Sequence, residues 1–153
     1  MLARILVAVD GSAESEQALH MAAQIARGSK SQLILVHAFE KLPSIDAPHY
    51  RRSLREHLDK GQKVIDAAAA LVANLAPEQE LLEGPPADAI LRVAAARDVD
   101  LIIMGARGIG GVRALLGSVS NKVVHQAACP VLIAHEKPGA PQVAEDLSVL
   151  IPA

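Results

Sequence analysis

The chain has 153 residues, a formal net charge of −2 and an apolar share of 51%, which sets one domain with room for a buried core. Its apolar residues are almost all Ala, Val, Leu and Ile; Phe39 and Tyr50 stand alone as aromatics and Trp is absent. That excludes the aromatic platforms on which single-stranded nucleic acid stacks, and without a dense basic run it also excludes a phosphate-backbone footprint.

The most basic stretch, "RRSLR" (Arg51 to Arg55), reads as the solvated face of a helix. No segment has the uninterrupted apolar length of a membrane span, and no basic leader with an apolar run opens the chain. A soluble cytoplasmic protein with no membrane and no nucleic-acid partner is the expectation. Cys129 is the one cysteine; in an apolar segment it reads as a small core residue.

In chain order, "RILVAVD" (Arg4 to Asp10) is a continuous β-branched run, the pattern of a strand covered by helices on both faces. Ser12 caps a first helix with Glu14 and Glu16 in its opening turn, Ala18, Ala22 and Ile25 on its inner face, and Gly28 at its end. "QLILVHAF" (Gln32 to Phe39) is the second strand, and Lys41 to His49, with two prolines, a connection. A longer helix comes next, with Leu54, Leu58, Gly61, Ile65, Ala68, Val72 and Leu75 spaced by threes and fours. "EQELLEG" (Glu78 to Gly84), short and charged, suits an edge strand. Pro86 opens a third helix presenting Ile90, Leu91 and Ala94. "DLIIMG" (Asp100 to Gly105) and "PVLIAH" (Pro130 to His135) are the last strands, separated by a helix from Ser118 to Ala127 with Val119, Val123 and Ala127 on a stripe. The order βαβαβαβαβ implies an α/β domain with an open parallel sheet and helices on both faces. Residues 137–153 form a tail whose apolar residues would dock on the domain or on a partner subunit.

Between the fourth strand and the last helix runs "MGARGIGGVRALLGS", with five glycines. Ligands of open parallel sheets bind beyond the carboxyl ends of the strands, where the winding reverses. If the fourth strand lies beside the first, Asp10 and Gly105 meet there. Gly105 and Gly108 would then offer main-chain N–H groups to an anion, and Gly117 would let a phosphate approach the unpaired amides of the helix starting at Ser118. Other motifs fail: there is no lysine between Gly117 and Ser118 for a P-loop, no G-x-G-x-x-G after the first strand, and no G-x-S-x-G. His20, His37, His49, His57, His125 and His135 lack metal-ligand spacing and read as structural or surface residues. Tight turns at strand ends also use glycine with nothing bound, and Asp10 can simply cap the first helix.

"ILVAVDGS", "LILVHAF" and "MGARG…LLGSVSNKVVHQAACPVLIA" resemble the universal stress protein family over roughly residues 3 to 135. The resemblance implies a universal stress protein domain over residues 1–136, a Rossmann-like, adenine nucleotide alpha hydrolase-like fold of five parallel strands in the order 3-2-1-4-5, and a homodimer paired through Val131, Leu132, Ile133 and Ala134. It further implies ATP, with Mg2+, as ligand. Asp10, with Ala8 and Val9 beside it, would bind the ribose or adenine side, Ala38 and Met104 would pack the adenine, and Gly105, Arg107, Gly108, Gly117, Ser118, Val119 and Ser120 would hold the phosphates. The family pattern places nine residues between the second glycine and Gly-Ser; "IGGVRALL" has eight. A residue lost inside a helical turn rotates the rest of the helix by about 100°, whereas Gly110 and Gly111 would absorb the loss in a loop. Two functions are compatible with this pattern: a nucleotide-binding stress protein with no enzymatic role beyond slow hydrolysis, or an interaction protein without nucleotide that works through its dimer surface and tail.

Overall fold

A computed structural model describes residues 1–41, 47–106 and 116–135. Within them five strands alternate with four α-helices: β1 (Arg4–Ala8), α1 (Ala13–Ser29), β2 (Gln32–Phe39), α2 (Ala47–Leu71), β3 (Glu78–Glu83), α3 (Pro86–Ala96), β4 (Leu101–Gly105), α4 (Ser118–Gln126) and β5 (Val131–Ala134). The sheet order is β3-β2-β1-β4-β5, and every pairing is parallel. The fold and strand order expected from the sequence are therefore observed, with Glu78–Glu83 at one edge.

Two apolar cores explain the unbroken apolar runs. Successive strand residues point to opposite faces, so Ile5 and Val7 join Leu33, Leu35 and Ile103 under α1 and α2. Leu6 joins Ile34, Val36, Ile102 and Met104 under α3 and α4. Ile5, Leu6 and Val7 are wholly buried, and each such side chain contributes about 1.5–3 kcal/mol of burial free energy.

Strand and helix ends shift by one or two residues at several places, and the ends of α1 and α2 differ in ways that bear on packing. Gly28 lies inside α1, and exposed Lys30 takes the left-handed position with φ 57°. A local capping bond and a tertiary one set that end: Ser31 N–H donates back to the Ala26 carbonyl, and Gln32 N–H to the Ala3 carbonyl at 2.8 Å, which ties the exit of α1 to β1. α2 already begins at Ala47 inside the expected connection, with Pro48 in its first turn, where a missing N–H does no harm. It stops at Leu71, and Leu75 belongs to a separate 3-10 turn over Ala73–Leu75. Leu58, expected on the inner stripe, is 39% exposed, because within α2 the fully buried positions start only at Gly61. The connection at residues 42–46, the spacer 107–115 and the tail from 136 onward lie outside the described residues.

Candidate functional site

The chain winds from β1 through β2 to β3 on one side, then returns to β4 and β5 on the other. The switch point lies between the carboxyl ends of β1 and β4, which are neighbours through Val7 and Ile103.

On the β1 side, Gly11 turns the chain with φ 82°, a conformation that disfavours any side chain. Ser12 then caps α1, its hydroxyl oxygen accepting from Ser15 N–H at 3.1 Å. Exposed Asp10 stands at this turn. Its Oδ1 accepts from Ser12 N–H at 2.9 Å, and its own N–H donates to Ser15 Oγ at 3.2 Å. The carboxylate thus braces the turn before α1 while remaining on the crevice lip. Val9 is buried in the core under α1 and α2, and its N–H donates to the Val36 carbonyl at 2.9 Å. Ala8 and Met104 belong to the opposite core, Ala8 half-buried and Met104 buried.

On the β4 side, Ala106 organises the return of the chain. Its N–H donates to the Ala134 carbonyl at 2.9 Å, and its carbonyl accepts from Gly117 N–H at 2.7 Å. The Ser120 hydroxyl, 2% exposed, donates to that same carbonyl at 2.5 Å. Gly117 is the N-cap of α4 and provides no side-chain cap; its carbonyl accepts the first helical bond, from Asn121 N–H at 2.9 Å. The N–H groups of Ser118, Val119 and Ser120 are therefore the ones without helical acceptors. They carry the partial positive charge of the helix end.

Of the residues expected to hold phosphates, Gly105 has another evident reason to be glycine. A Cβ there would lie 2.9 Å from Glu14 Cβ and 3.0 Å from the Glu14 carbonyl carbon, so the first turn of α1 packs directly on β4. Gly117 directs its own amide to Ala106, and Ser120 has its hydroxyl committed inward. Ala38 is half-buried at the end of β2. Arg107 and Gly108 lie outside the described residues.

Three residues of this region carry no site signal in the sequence. Ala106 is only a spacer position between glycines there. Glu14, 5% exposed in the first turn of α1, has the sequence signature of a dipole partner. His37 has that of a generic structural histidine, although the alternation of β2 places it on the face of Leu33 and Leu35, toward α2. Its Nδ1 lies 2.7 Å from the Val9 carbonyl.

Cys129, the free thiol, is half-buried before β5, and desolvation raises its pKa above the usual thiol value. Among the described residues no group of three His, Cys, Asp or Glu is placed to hold a metal ion, and no helix is long and apolar enough to cross a membrane.

Residues 1–135 match the family model described as the universal stress protein family. A universal stress protein of Thermus aquaticus is 41% identical over 135 residues, covering 87% of this chain and 98% of that protein. Among solved structures, the universal stress protein UspA from Lactobacillus plantarum superposes with a TM-score of 0.75 at 26% identity, over 87% of this chain and 97% of the other. A universal stress protein in complex with cAMP gives 0.67 at 26% identity, over 88% and 98%.

Proposed function

Because the chain belongs to the universal stress protein family, we propose that it binds an adenine nucleotide, ATP with Mg2+, between the carboxyl ends of β1 and β4. The bound nucleotide serves as a regulatory signal in a stress response rather than as the substrate of an enzyme. The observation that carries this reading is the start of α4 beside the end of β4: among the described residues no side chain caps it, its first three amides have no helical acceptor, and the Ala106 carbonyl holds it in place. A helix start of this kind suits phosphate, and the similar structure in complex with cAMP supports an adenine nucleotide as the ligand class.

In this reading exposed Asp10 takes the ribose hydroxyls, and Ala8, Val9, Ala38 and Met104 surround the base. Ser118, Val119 and Ser120 meet the phosphates through their N–H groups, with Gly105, Arg107, Gly108 and Gly117 alongside. Mg2+ is a hard cation that keeps its waters and binds phosphate oxygens, so it enters on the triphosphate. Any hydrolysis is slow. The eight-residue spacer is compatible with this site, since Gly117 after it is hydrogen-bonded at 2.7 Å to Ala106, the residue that follows β4. That bond sets the start of α4 against the end of β4 independently of the spacer's length. Among the described residues β5 is an edge strand with no outer neighbour, and Val131, Leu132 and Ile133 are half-buried; such an edge is a template for pairing, and a homodimer through β5 would use it.

The test is to purify the protein natively, identify any released nucleotide, and titrate the emptied protein with Mg-ATP by calorimetry while its mass is read by ultracentrifugation. Binding is expected in wild type. In Asp10→Ala it falls by about 10–100-fold, the worth of one hydrogen bond to a charged group. A folded wild type that binds no adenine nucleotide overturns this reading. It transfers function to the open strand edge and to residues 137–153, as expected of a family member acting without nucleotide.

A further inference from the structure

In a parallel ladder, successive residues turn their main-chain groups to opposite neighbours. Val9 N–H donates to the Val36 carbonyl at 2.9 Å, and the Phe39 carbonyl accepts from Gly84 N–H at 2.8 Å on the β3 side. By that alternation Val36 and Ala38 both direct their N–H and C=O toward β1. One further rung between β1 and β2 would run from Ala38 N–H to the Val9 carbonyl. Among the described residues that rung is missing. The Val9 carbonyl instead meets the His37 ring, with Nδ1 at 2.7 Å. A carbonyl has no proton to give, so Nδ1 carries it and donates.

The ring is held from its other side by α2. A Cβ on Gly61 would come within 3.4 Å of His37 Cδ2 and 2.8 Å of Leu81 Cδ1, so the helix backbone lies close over the imidazole. His37 is half-buried there, next to the residue that leads into Asp10.

We propose that His37 is a positioning residue for the nucleotide: by occupying the Val9 carbonyl, its imidazole stops the β1–β2 ladder one rung early. This leaves the Ala38 N–H and C=O without a β1 partner among the described residues, a donor–acceptor pair for the hydrogen-bonding edge of a purine base. Without the imidazole, the buried-side carbonyl of Val9 recruits Ala38 N–H, the ladder extends by a rung and the donor is lost to the ligand. The nucleotide part of this inference rests on the function proposed above; the ladder part does not.

The experiment uses the full chain, with amide hydrogen exchange of Ala38 read by NMR and AMP as the probe, since AMP carries the base without engaging a triphosphate loop. In wild type the Ala38 amide exchanges fast and becomes protected on adding AMP, and the ring shows its proton on Nδ1. In His37→Leu the amide is protected without AMP, and AMP affinity falls about tenfold, the worth of one neutral hydrogen bond. His37→Asn, which restores a donor near the position of Nδ1, brings back fast exchange and most of the affinity. An Ala38 amide as exposed in His37→Leu as in wild type overturns the proposal, and so does a proton found on Nε2 alone, a readout that needs no variant to fold. A wild type that binds no AMP yet shows the exchange difference removes the nucleotide reading and leaves the ladder role of His37 standing.

Discussion

A Cβ built on Gly105 meets backbone, with the Glu14 carbonyl carbon at 3.0 Å and the Ser15 nitrogen at 3.1 Å. Helix α1 cannot rotate these atoms away, so Gly105→Ala must push α1 off β4. Overpacking of this kind costs about 1–3 kcal/mol, measurable as a lower urea midpoint, with loss of nucleotide affinity expected to accompany it because α1 carries the Ser12 turn against Asp10. Gly61→Ala is the contrast. Its nearest contact, Leu81 Cδ1 at 2.8 Å, is the end of a flexible side chain, and alanine gains about 1 kcal/mol of helix propensity in mid-helix. Its stability should stay within about 1 kcal/mol of wild type. Equal losses in the two variants would show that Leu81 has nowhere to go. The sequence singles out Gly105 and suggests phosphate as its reason; its steric partner lies far away along the chain, at Glu14, and no local pattern connects them.

At the scale of elements, α4 and the return from β4 behave as one unit around the Ala106 carbonyl. Ser120→Ala removes the buried hydroxyl but leaves Gly117 N–H on that carbonyl, so the expected loss is about 1 kcal/mol, read by denaturant titration. A loss above about 3 kcal/mol would mean that the hydroxyl, not the Gly117 amide, holds the helix start in place. The start of α4 is legible because Gly-Ser before an apolar stripe is a helix signal, while the inward use of Ser120 depends on where β4 ends. α1 is legible for the same reason, and α3 because Pro86 stands in its first turn as expected. α2 is less so. Its early half carries apolar residues at helical spacing, yet Leu58 is exposed and Leu54 only half-buried, since periodicity records a face and not how far the sheet extends beneath it.

The whole sheet is the most legible feature, because four apolar runs too continuous for a half-exposed sheet demand helices on both sides. The runs do not reveal how the end of the sheet away from the crevice is fastened. Asp100, just before β4, accepts through Oδ2 from Ala3 N–H at 2.8 Å and Arg4 N–H at 2.9 Å, and its own N–H donates to the Arg4 carbonyl at 3.0 Å. This joins the starts of β1 and β4. Hydrogen bonds from Arg4 N–H and then Ala3 N–H hold its carboxyl below the ordinary value of 3.8. A carboxyl lowered by folding binds its proton more weakly in the native state, so the unfolded chain takes up protons first as the pH falls. Its stabilisation is therefore complete above pH 3.8 and disappears as the pH drops through the lowered native value. Thermal melts of wild type and Asp100→Ala should differ most near neutral pH and converge in that acid window, with wild type falling toward the variant. AMP affinity at neutral pH should be the same in both, because the clamp and the crevice lie at opposite ends of β1. A gap between the melting curves that persists unchanged into acid would show that the carboxylate charge contributes nothing to the clamp, leaving the Asp100 main chain to join the strands.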